Sequence, residues 1–297
     1  MLGVGQCSLD EIALVDEAPA FGGKARMRER RQLPGGQIAS ALLGCARLGH
    51  RAALVSSTGD DAAADAALAP LRSAGIELAS VRRIDAARTQ SAWIWIDAAR
   101  GERTVLWDRD ERLALPEDAI SRADVEGARV VLLDAGDLAL ALRVAALARE
   151  NGVPCVLDAD TPARGIEKLL TTASHPVISE SLARALYGTA EAAVCALARA
   201  GAALPVVTRG AAGAVAFHDG AVRPSAAFAI EPVDTPGAGD AFHAGVAHAL
   251  LCGREGAELF RIAHAVAACA CLALGAQAGL PTRAQLAAFL ARTSRRG

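Results

Sequence analysis

The sequence is poor in aromatic residues, which make up 3% of its 297 positions. Proteins that stack on nucleic-acid bases need aromatic platforms and a basic surface, whereas the formal net charge here is only -2. The composition therefore argues against nucleic-acid binding and against a polybasic membrane anchor.

Long apolar runs and paired cysteine motifs are also missing. The longest apolar run, residues 265–276, is shorter than the roughly 20 residues that span a bilayer, and it predicts a buried helix. The first residues lack the pattern of a signal peptide. Seven cysteines without a C-x-x-C pair indicate buried, reduced thiols. These features predict a cytoplasmic protein with no membrane partner.

Hydrophobic residues are abundant, at 53% of the chain, and they follow a regular order. Short apolar runs alternate with longer segments rich in alanine and leucine, which predicts a parallel sheet covered by helices on both faces. The predicted strands are residues 2–7, 52–57, 128–134, 153–158, 176–179 and 205–208. The predicted helices are residues 36–49, 60–74, 138–151 and 190–201.

Two segments interrupt this order. Residues 13–33 are charged and show no helical pattern, and residues 91–107 read as two strands joined by an Ala-Ala-Arg-Gly turn. The second segment holds Trp93, Trp95 and Trp107. We expect a small β lid, built from about residues 13–33 and 88–112, within a single domain that covers residues 1–297.

The most informative segment is DTPGAGD, residues 234–240, which directly precedes a predicted helix. Gly237 and Gly239 can adopt unusual backbone angles, and the first amides of a helix have no partner within it. Such a turn suits a phosphate oxygen. Asp240 beside it would accept the proton of an alcohol during phosphoryl transfer, although a simple helix cap is the plainer alternative. The turn is neither a dinucleotide fingerprint nor a Walker A loop.

With this turn the whole chain resembles the ribokinase-like, or PfkB, family of carbohydrate kinases. The D-T-x-G-A-G-D signature of that family is matched by Asp234, Thr235, Gly237, Ala238, Gly239 and Asp240. Further similar segments follow in the family's order, namely GGQIASALLGCARLG (35–49), STGDD (57–61), VVTRGAAGA (206–214) and GAQAGLPTRAQL (275–286). The resemblance implies a three-layer α/β sandwich with a lid, and ATP-dependent phosphorylation of a sugar hydroxyl with Mg²⁺.

The resemblance also assigns roles to residues. It implies Asp240 as general base beside an anion hole formed by Gly237, Ala238 and Gly239. It implies that ATP phosphates contact Thr208, Gly210, Gly213 and Gly239. It implies that the sugar contacts Asp10, Gly35 and Gly36, with Gln37 and Ser40 standing where the family often has lysine and asparagine.

Cation sites are implied as well. A potassium-type site would use the backbone carbonyls of Asp234, Pro236, Ala270, Ala273, Gly275 and Gly279. The family's N-x-x-E motif, linked to Mg²⁺, reads S-E-S-L at residues 179–182, so Glu180 is the acid left to act near the metal.

The substrate expected from these departures is a ketose or a ketose-derived acid sugar. The segment 101–113 resembles the lid of ketohexokinase-like and sulfofructose-kinase-like members, where Arg109 or Lys24 would meet an anionic group. His243 reads as a packing or surface histidine. The family analogy also implies a homodimer.

Two other functions stay open. A nucleoside kinase of the same fold would need an apolar clamp for a base, which the lid tryptophans could supply. A catalytically silent sugar-binding protein would explain the weakened S-E-S-L segment, but it would have no use for Asp240. A dinucleotide oxidoreductase is a distant third, because the Gly pattern at the start is partial.

Overall fold

The computed structural model describes residues 1–97 and 103–293. Within them, thirteen strands form two sheets. The strands are β1 (Leu2–Val4), β2 (Ser8–Val15), β3 (Met27–Gly35), β4 (Ala53–Gly59), β5 (Val81–Ile84), β6 (Ser91–Asp97), β7 (Arg103–Asp108), β8 (Val131–Asp134), β9 (Cys155–Ala159), β10 (His175–Ser179), β11 (Val206–Thr208), β12 (Ala214–His218) and β13 (Ala221–Ser225).

Ten α-helices connect these strands in the described part of the chain. They are α1 (Gln37–Arg47), α2 (Ala62–Ser73), α3 (Arg122–Glu126), α4 (Leu138–Glu150), α5 (Ile166–Thr172), α6 (Glu180–Tyr187), α7 (Ala190–Arg199), α8 (Ala238–Leu251), α9 (Gly256–Ala270) and α10 (Arg283–Thr293). Among the described residues, no helix combines the length and the hydropathy that crossing a bilayer requires.

The larger sheet is buried on both faces. Its strand order is β13-β12-β11-β10-β9-β8-β1-β4-β5, parallel from β11 to β5, with β12 and β13 antiparallel. Consecutive strand residues enter opposite cores, because side chains alternate along a strand. Leu132 packs into the core with α1, α8 and α9, whereas Leu133 packs into the core with α4, α5 and α7. The predicted three-layer α/β sandwich is confirmed.

The smaller sheet is the lid. Its order is β3-β2-β6-β7, so the charged segment after residue 13 contributes parts of two strands rather than a loop alone. The predicted hairpin is confirmed in β6 and β7. Its Ala-Ala-Arg-Gly turn, residues 98–101, lies outside the described residues.

The register of the lid separates its tryptophans. Trp107 pairs with Ala92, and Arg103 pairs with Ile96, so all four share the face that carries the small apolar core of the lid. Trp93 alternates to the opposite face. Trp107 is 70% exposed and Trp93 is 49% exposed.

Two sequence-based boundaries were wrong. The run 265–276 is not one helix, because α9 ends at Ala270 and a turn follows. Gly275, at φ +88°, lies in that turn, and its amide donates to Asp234 Oδ2 at 2.8 Å, which holds the chain away from the helix axis. The first strand ends at Val4 instead of residue 7, since Ser8 already belongs to the lid.

The cysteine prediction holds only in part. All seven cysteines are free thiols, and Cys7, Cys45, Cys155 and Cys271 are buried. Cys252, however, is exposed, because it follows the last residue of α8, where the buried face of the helix has ended.

Candidate active site

The turn before α8 is shaped by a glycine with a left-handed backbone. Gly237 has φ +75°, and a Cβ placed there would lie 2.5 Å from the Cα of Ala276. An L-residue would meet both the steric penalty of positive φ and a collision with backbone. Gly239 differs, because a Cβ added there would have no atom within 4 Å. The space beside Gly239 is therefore open to a ligand.

Two amides of this turn have no protein partner in the described part of the chain. The Ala238 amide donates to the Thr235 carbonyl at 3.2 Å, which closes the turn. Among the described residues, the amides of Gly239 and Asp240 have no acceptor. The first amides of a helix carry partial positive charge and bind anions. We call the turn from Gly237 to Asp240 the anion cradle.

Asp234 fixes the anion cradle to the end of α9. Its Oδ1 accepts the Thr235 amide and its Oδ2 accepts the Gly275 amide, both at 2.8 Å. Burial raises the pKa of this carboxyl, while the two amides oppose that shift. The Val233 amide also donates to the Cys271 carbonyl at 2.8 Å.

This contact brings together the two segments that the predicted potassium-type site requires. The carbonyls in question belong to Asp234, Pro236, Ala270, Ala273, Gly275 and Gly279. A Cβ on Gly279 would lie 2.3 Å from the Ala270 carbonyl oxygen, so glycine is needed for this approach. The site itself stays a prediction.

Asp240 lies among other carboxylates. Burial is the largest cause that raises the pKa of Asp240. The negative charges of Asp158 and Asp160, at the end of β9, raise it further. His243 and Arg103 act in the opposite direction. Together these influences raise the pKa of Asp240 well above its ordinary value, as expected for a carboxylate poised to take a proton.

Arg103 extends from the lid to Thr235, two residues before the anion cradle. Its Nη1 donates to Thr235 Oγ1 at 3.4 Å, on the lid face that also carries Trp107. The sequence analysis did not select Arg103. Only the strand register of the lid places this guanidinium over the turn.

The predicted sugar-binding residues lie around Asp10. A Cβ on Gly35 would lie 2.1 Å from Asp10 Oδ2, and one on Gly36 would lie 2.6 Å from the Gln6 carbonyl. Both glycines therefore let Asp10 and the β1–β2 turn approach α1. The Ala92 amide donates to Asp10 Oδ1 at 3.1 Å, and burial raises the pKa of Asp10 to about 6.

Asp134 and two glutamines adjoin this region and were also missed. Asp134 Oδ2 accepts the Gln6 amide at 2.7 Å, and Gln90 Nε2 donates to Gln6 Oε1 at 2.6 Å. Burial raises the pKa of Asp134 to about 6. A signal was present, because Asp134 and Asp158 each close a predicted buried strand, where ligands of α/β sheets bind.

Two predicted substrate residues are engaged elsewhere. Ser40 is fully buried within α1, and its hydroxyl accepts from Gln277 Nε2 at 3.3 Å. Arg109 forms two hydrogen bonds to the Asp137 carboxylate, at 3.0 and 2.8 Å, and a third to the Leu113 carbonyl. A charge that is already matched by a bidentate carboxylate offers little to an anionic substrate. Gln37 is the half-buried first residue of α1.

The predicted nucleotide loop follows β11. Thr208 donates its hydroxyl to the Ile178 carbonyl at 3.3 Å. Gly213 has φ +89°, and a Cβ there would lie 2.0 Å from the Ser225 carbonyl oxygen. Gly210 has open space beside it. The backbone is therefore free of side chains at Gly210, as a bound phosphate requires.

Glu180, the predicted acid near the metal, already forms ion pairs with two arginine side chains. It lies 3.0 Å from Arg184 and 3.4 Å from Arg209. A bound Mg²⁺ or its water would have to share this carboxylate with two guanidinium groups. Its role stays a prediction.

The fold is a mostly parallel sheet with a β lid. An amide cradle and a neighbouring carboxylate lie at the carboxyl ends of its strands. These features together are those expected of an α/β kinase. The family model for pfkB carbohydrate kinases matches residues 2–283. The chain therefore belongs to the PfkB family of carbohydrate kinases, whose members transfer a phosphoryl group to an alcohol.

Relatives of known name are similar over nearly the whole chain. A Bacillus subtilis ribokinase is 28% identical over 97% of this chain and 98% of its own length. A Methanothermobacter thermautotrophicus nucleoside kinase is 28% identical over 95% and 92%. A crystal structure of an Agrobacterium tumefaciens protein, provisionally named a ribokinase, is 31% identical, with a TM-score of 0.92 over 100% of this chain and 98% of that one.

Proposed function

We propose that this protein is an ATP-dependent kinase that phosphorylates a hydroxyl of a ketose or related carbohydrate, with Asp240 as general base. The observation that carries the proposal is the position of Asp240 in the first turn of α8, directly after Gly239, where the amides of both residues have no protein partner among the described residues. A group that takes a proton and a group that holds negative charge are thus adjacent, as phosphoryl transfer to an alcohol requires.

The residues divide the chemistry between them. The Gly239 and Asp240 amides hold the negative charge of the transferred phosphoryl group, and Arg103 adds a cation from the lid. Asp240 accepts the hydroxyl proton as the oxygen attacks phosphorus in line. The lid excludes water from the cleft and so limits wasteful hydrolysis of ATP.

The residues present also fit Mg²⁺ with ATP. Mg²⁺ prefers oxygen ligands and commonly takes one or two carboxylates along with phosphates. Asp160 is exposed, is near enough to Asp240 to raise its pKa, and offers such an oxygen. Open space at Gly239 and Gly210 leaves room for phosphates. Bound Mg²⁺ would supply positive charge to the phosphates.

We propose that Asp10 binds sugar hydroxyls in its ionised form. Since burial raises the pKa of Asp10 to about 6, protonation below that pH removes its charge. We expect the KM for the sugar to rise as pH falls below about 6. We also expect Asp10→Asn to raise this KM by about tenfold or more at pH 8, because hydrogen bonds to a charged group contribute roughly 1.5–3 kcal/mol.

Steady-state kinetics from pH 5 to pH 8 test this expectation. Asp108→Asn, which removes an exposed lid carboxylate paired with Arg88, is the matched control and should keep the wild-type profile. The assignment would be wrong if Asp10→Asn kept both the KM and its pH dependence.

The function itself is tested by a coupled ADP-release screen of the purified protein. Ketoses, aldoses, sugar phosphates, sulfosugars and nucleosides are offered with Mg²⁺ and ATP. Highest kcat/KM with a ketose or a ketose-derived acid supports the proposal. Sugar binding without ADP release from any compound would instead indicate the silent binding protein.

One observation favours a nucleoside kinase as the second candidate. Trp107 is exposed on the same lid face as Arg103, which contacts Thr235 just before the anion cradle, so this aromatic side chain is on the lid face that approaches the cleft. Trp93 and Trp95 lie on the other face and cannot clamp the same base. Preference for nucleosides in the screen, lost in Trp107→Ala, would establish this alternative.

A further inference from the structure

Three side chains that can bind a metal lie together at the end of α8 that is remote from the anion cradle. His50, His248 and Cys252 offer ligand atoms that all lie within 4.8 Å of one another. The helix spans 14 residues, or about 20 Å, so a cluster at its far end is separate from the proposed active site. We call these three residues the His-His-Cys cluster.

The backbone holds each of the three residues in place. The Cys252 amide donates to the His248 carbonyl at 3.0 Å, so both side chains lie on one face of the last helical turn. His50 follows the end of α1, where Gly49 has φ +89° and the His50 amide donates to the Cys45 carbonyl at 3.1 Å. Since α1 and α8 pack against each other, two packed helices present the three ligands.

The spacing of the donor atoms is close to that of a tetrahedral zinc site. His50 Nε2 is 2.7 Å from His248 Nδ1, and Cys252 Sγ is 3.9 Å from both ring nitrogens of His248. Nitrogen and sulfur ligands about 2.0–2.3 Å from zinc lie roughly 3.3–3.6 Å apart when the angles are tetrahedral. A bound ion would therefore move the two rings apart by about half an ångström and draw the sulfur slightly closer.

Metal binding would replace the hydrogen bond between the two rings. In that bond one imidazole donates an N–H and the other accepts with a lone pair. Coordination needs a lone pair on both nitrogens, so the proton of the donor ring moves to its other nitrogen. Cys252 binds as the thiolate and releases its proton to solvent.

The charges around the cluster act in both directions. The C-terminal ends of α1 and α8 carry partial negative charge, which favours a cation. The cations near His50 are the Met1 ammonium, Arg129 and Arg283. Each of them already donates to a backbone carbonyl, at 2.9, 3.0 and 3.1 Å respectively. The negative thiolate of Cys252 has to offset these charges, so the site depends on it.

The cluster is open to solvent on one side. His248 is 8% exposed, whereas His50 is half-buried and Cys252 is exposed. An ion can therefore enter from water, and a water molecule can complete its coordination. Two imidazoles and a thiolate suit zinc and similar ions, whereas Mg²⁺ prefers oxygen ligands.

We propose that the His-His-Cys cluster is a binding site for Zn²⁺ or a similar divalent transition-metal ion, with His50 Nε2, His248 Nδ1 and Cys252 Sγ as the protein ligands. The fourth ligand is water. The proposal depends neither on Asp240 nor on the proposed kinase activity.

Cobalt substitution tests the site in the purified wild-type protein. The protein is freed of metal with a chelator, kept reduced and titrated with Co²⁺ at pH 8 in excess Mg²⁺, which fills sites made of oxygen ligands. We expect one Co²⁺ per chain, with a thiolate-to-metal charge-transfer band and the intense visible bands of a tetrahedral ion. Zn²⁺ should displace Co²⁺ and abolish both, because zinc favours tetrahedral sites with nitrogen and sulfur ligands.

Single substitutions identify the ligands. Cys252→Ser should remove the charge-transfer band, and both Cys252→Ser and His50→Gln should weaken metal binding by about tenfold or more, since even partners of metal ligands contribute that much. Cys195→Ser and His218→Gln are the matched controls. They remove a half-buried cysteine and a histidine paired with Asp219, away from the cluster, and should bind Co²⁺ as the wild type does.

Every result of these titrations decides the question. Absence of the charge-transfer band in the wild type would overturn the proposal and leave His50 and His248 as a hydrogen-bonded pair. So would wild-type affinity in Cys252→Ser, because the ion would then lie elsewhere. Cys252 is exposed, so Cys252→Ser is decisive even if His50→Gln does not fold. Failure of the proposed kinase function would appear separately, as wild-type protein that releases no ADP with any acceptor.

Discussion

Asp240→Asn is expected to lower kcat by about 10³-fold, the scale of general acid–base catalysis by one positioned group. Asparagine has nearly the shape of aspartate but cannot accept the hydroxyl proton. Thermal stability and the KM for ATP should change little, because the amides of the anion cradle are unaltered and burial already disfavours the charge of Asp240. Steady-state kinetics with the best acceptor from the screen, together with thermal denaturation, measure these effects.

Glu258→Gln is the matched control for this substitution. Glu258 is an exposed carboxylate in α9, paired with Arg254, so its loss should leave turnover unchanged. Near-normal turnover of Asp240→Asn would show that Asp240 is a helix cap and that the proton goes elsewhere.

Gly239→Ala is expected to lower kcat/KM by about 10²-fold without loss of stability. A methyl group fits at this position in the protein alone, since no atom lies within 4 Å. It would, however, occupy the space through which the transferred phosphoryl group reaches the Gly239 amide. Loss of one donor to developing negative charge lowers kcat by roughly 10²–10³-fold.

Gly237→Ala provides the contrast in the same turn. At φ +75°, with Ala276 2.5 Å from the new Cβ, this variant should lose about 3 kcal/mol of unfolding free energy. Urea denaturation distinguishes the two glycines. Wild-type kcat/KM in Gly239→Ala would show that the open space is not used by a phosphoryl group.

The layered fold could be predicted because its physical signals are local. Buried parallel strands need continuous apolar runs on both faces, and six such runs were visible in the sequence. The error at residues 265–276 has a tertiary cause. The sequence is apolar enough for a helix throughout, but Asp234 binds the Gly275 amide from another segment, and no local pattern announces that contact.

The active-site residues could be predicted only where they lie together in one turn of the sequence. DTPGAGD places the glycines and Asp240 next to each other in sequence, so their proximity needed no fold. Arg109 was selected for its charge, and that charge is matched by Asp137, a partner 28 residues away. The surroundings of His243 could not be predicted, because its ring nitrogens lie against Val177 and Asp158, which belong to two other strands.

Several buried acids lie at the ends of β8 and β9 and at the start of α8. The pH at which they stabilise the fold differs from the pH at which the proposed base is ionised. Burial raises the pKa of Asp134 from 3.8 to about 6, and raises those of Asp158 and Asp240 as well. A group whose pKa is higher in the folded state stabilises the fold below its unfolded pKa, and that contribution disappears as pH rises through the folded value. For Asp134 this window runs from about pH 4 to pH 6. These three carboxyls therefore stabilise the fold most in mild acid, where Asp240 still holds the proton that it must release before it can act as a base.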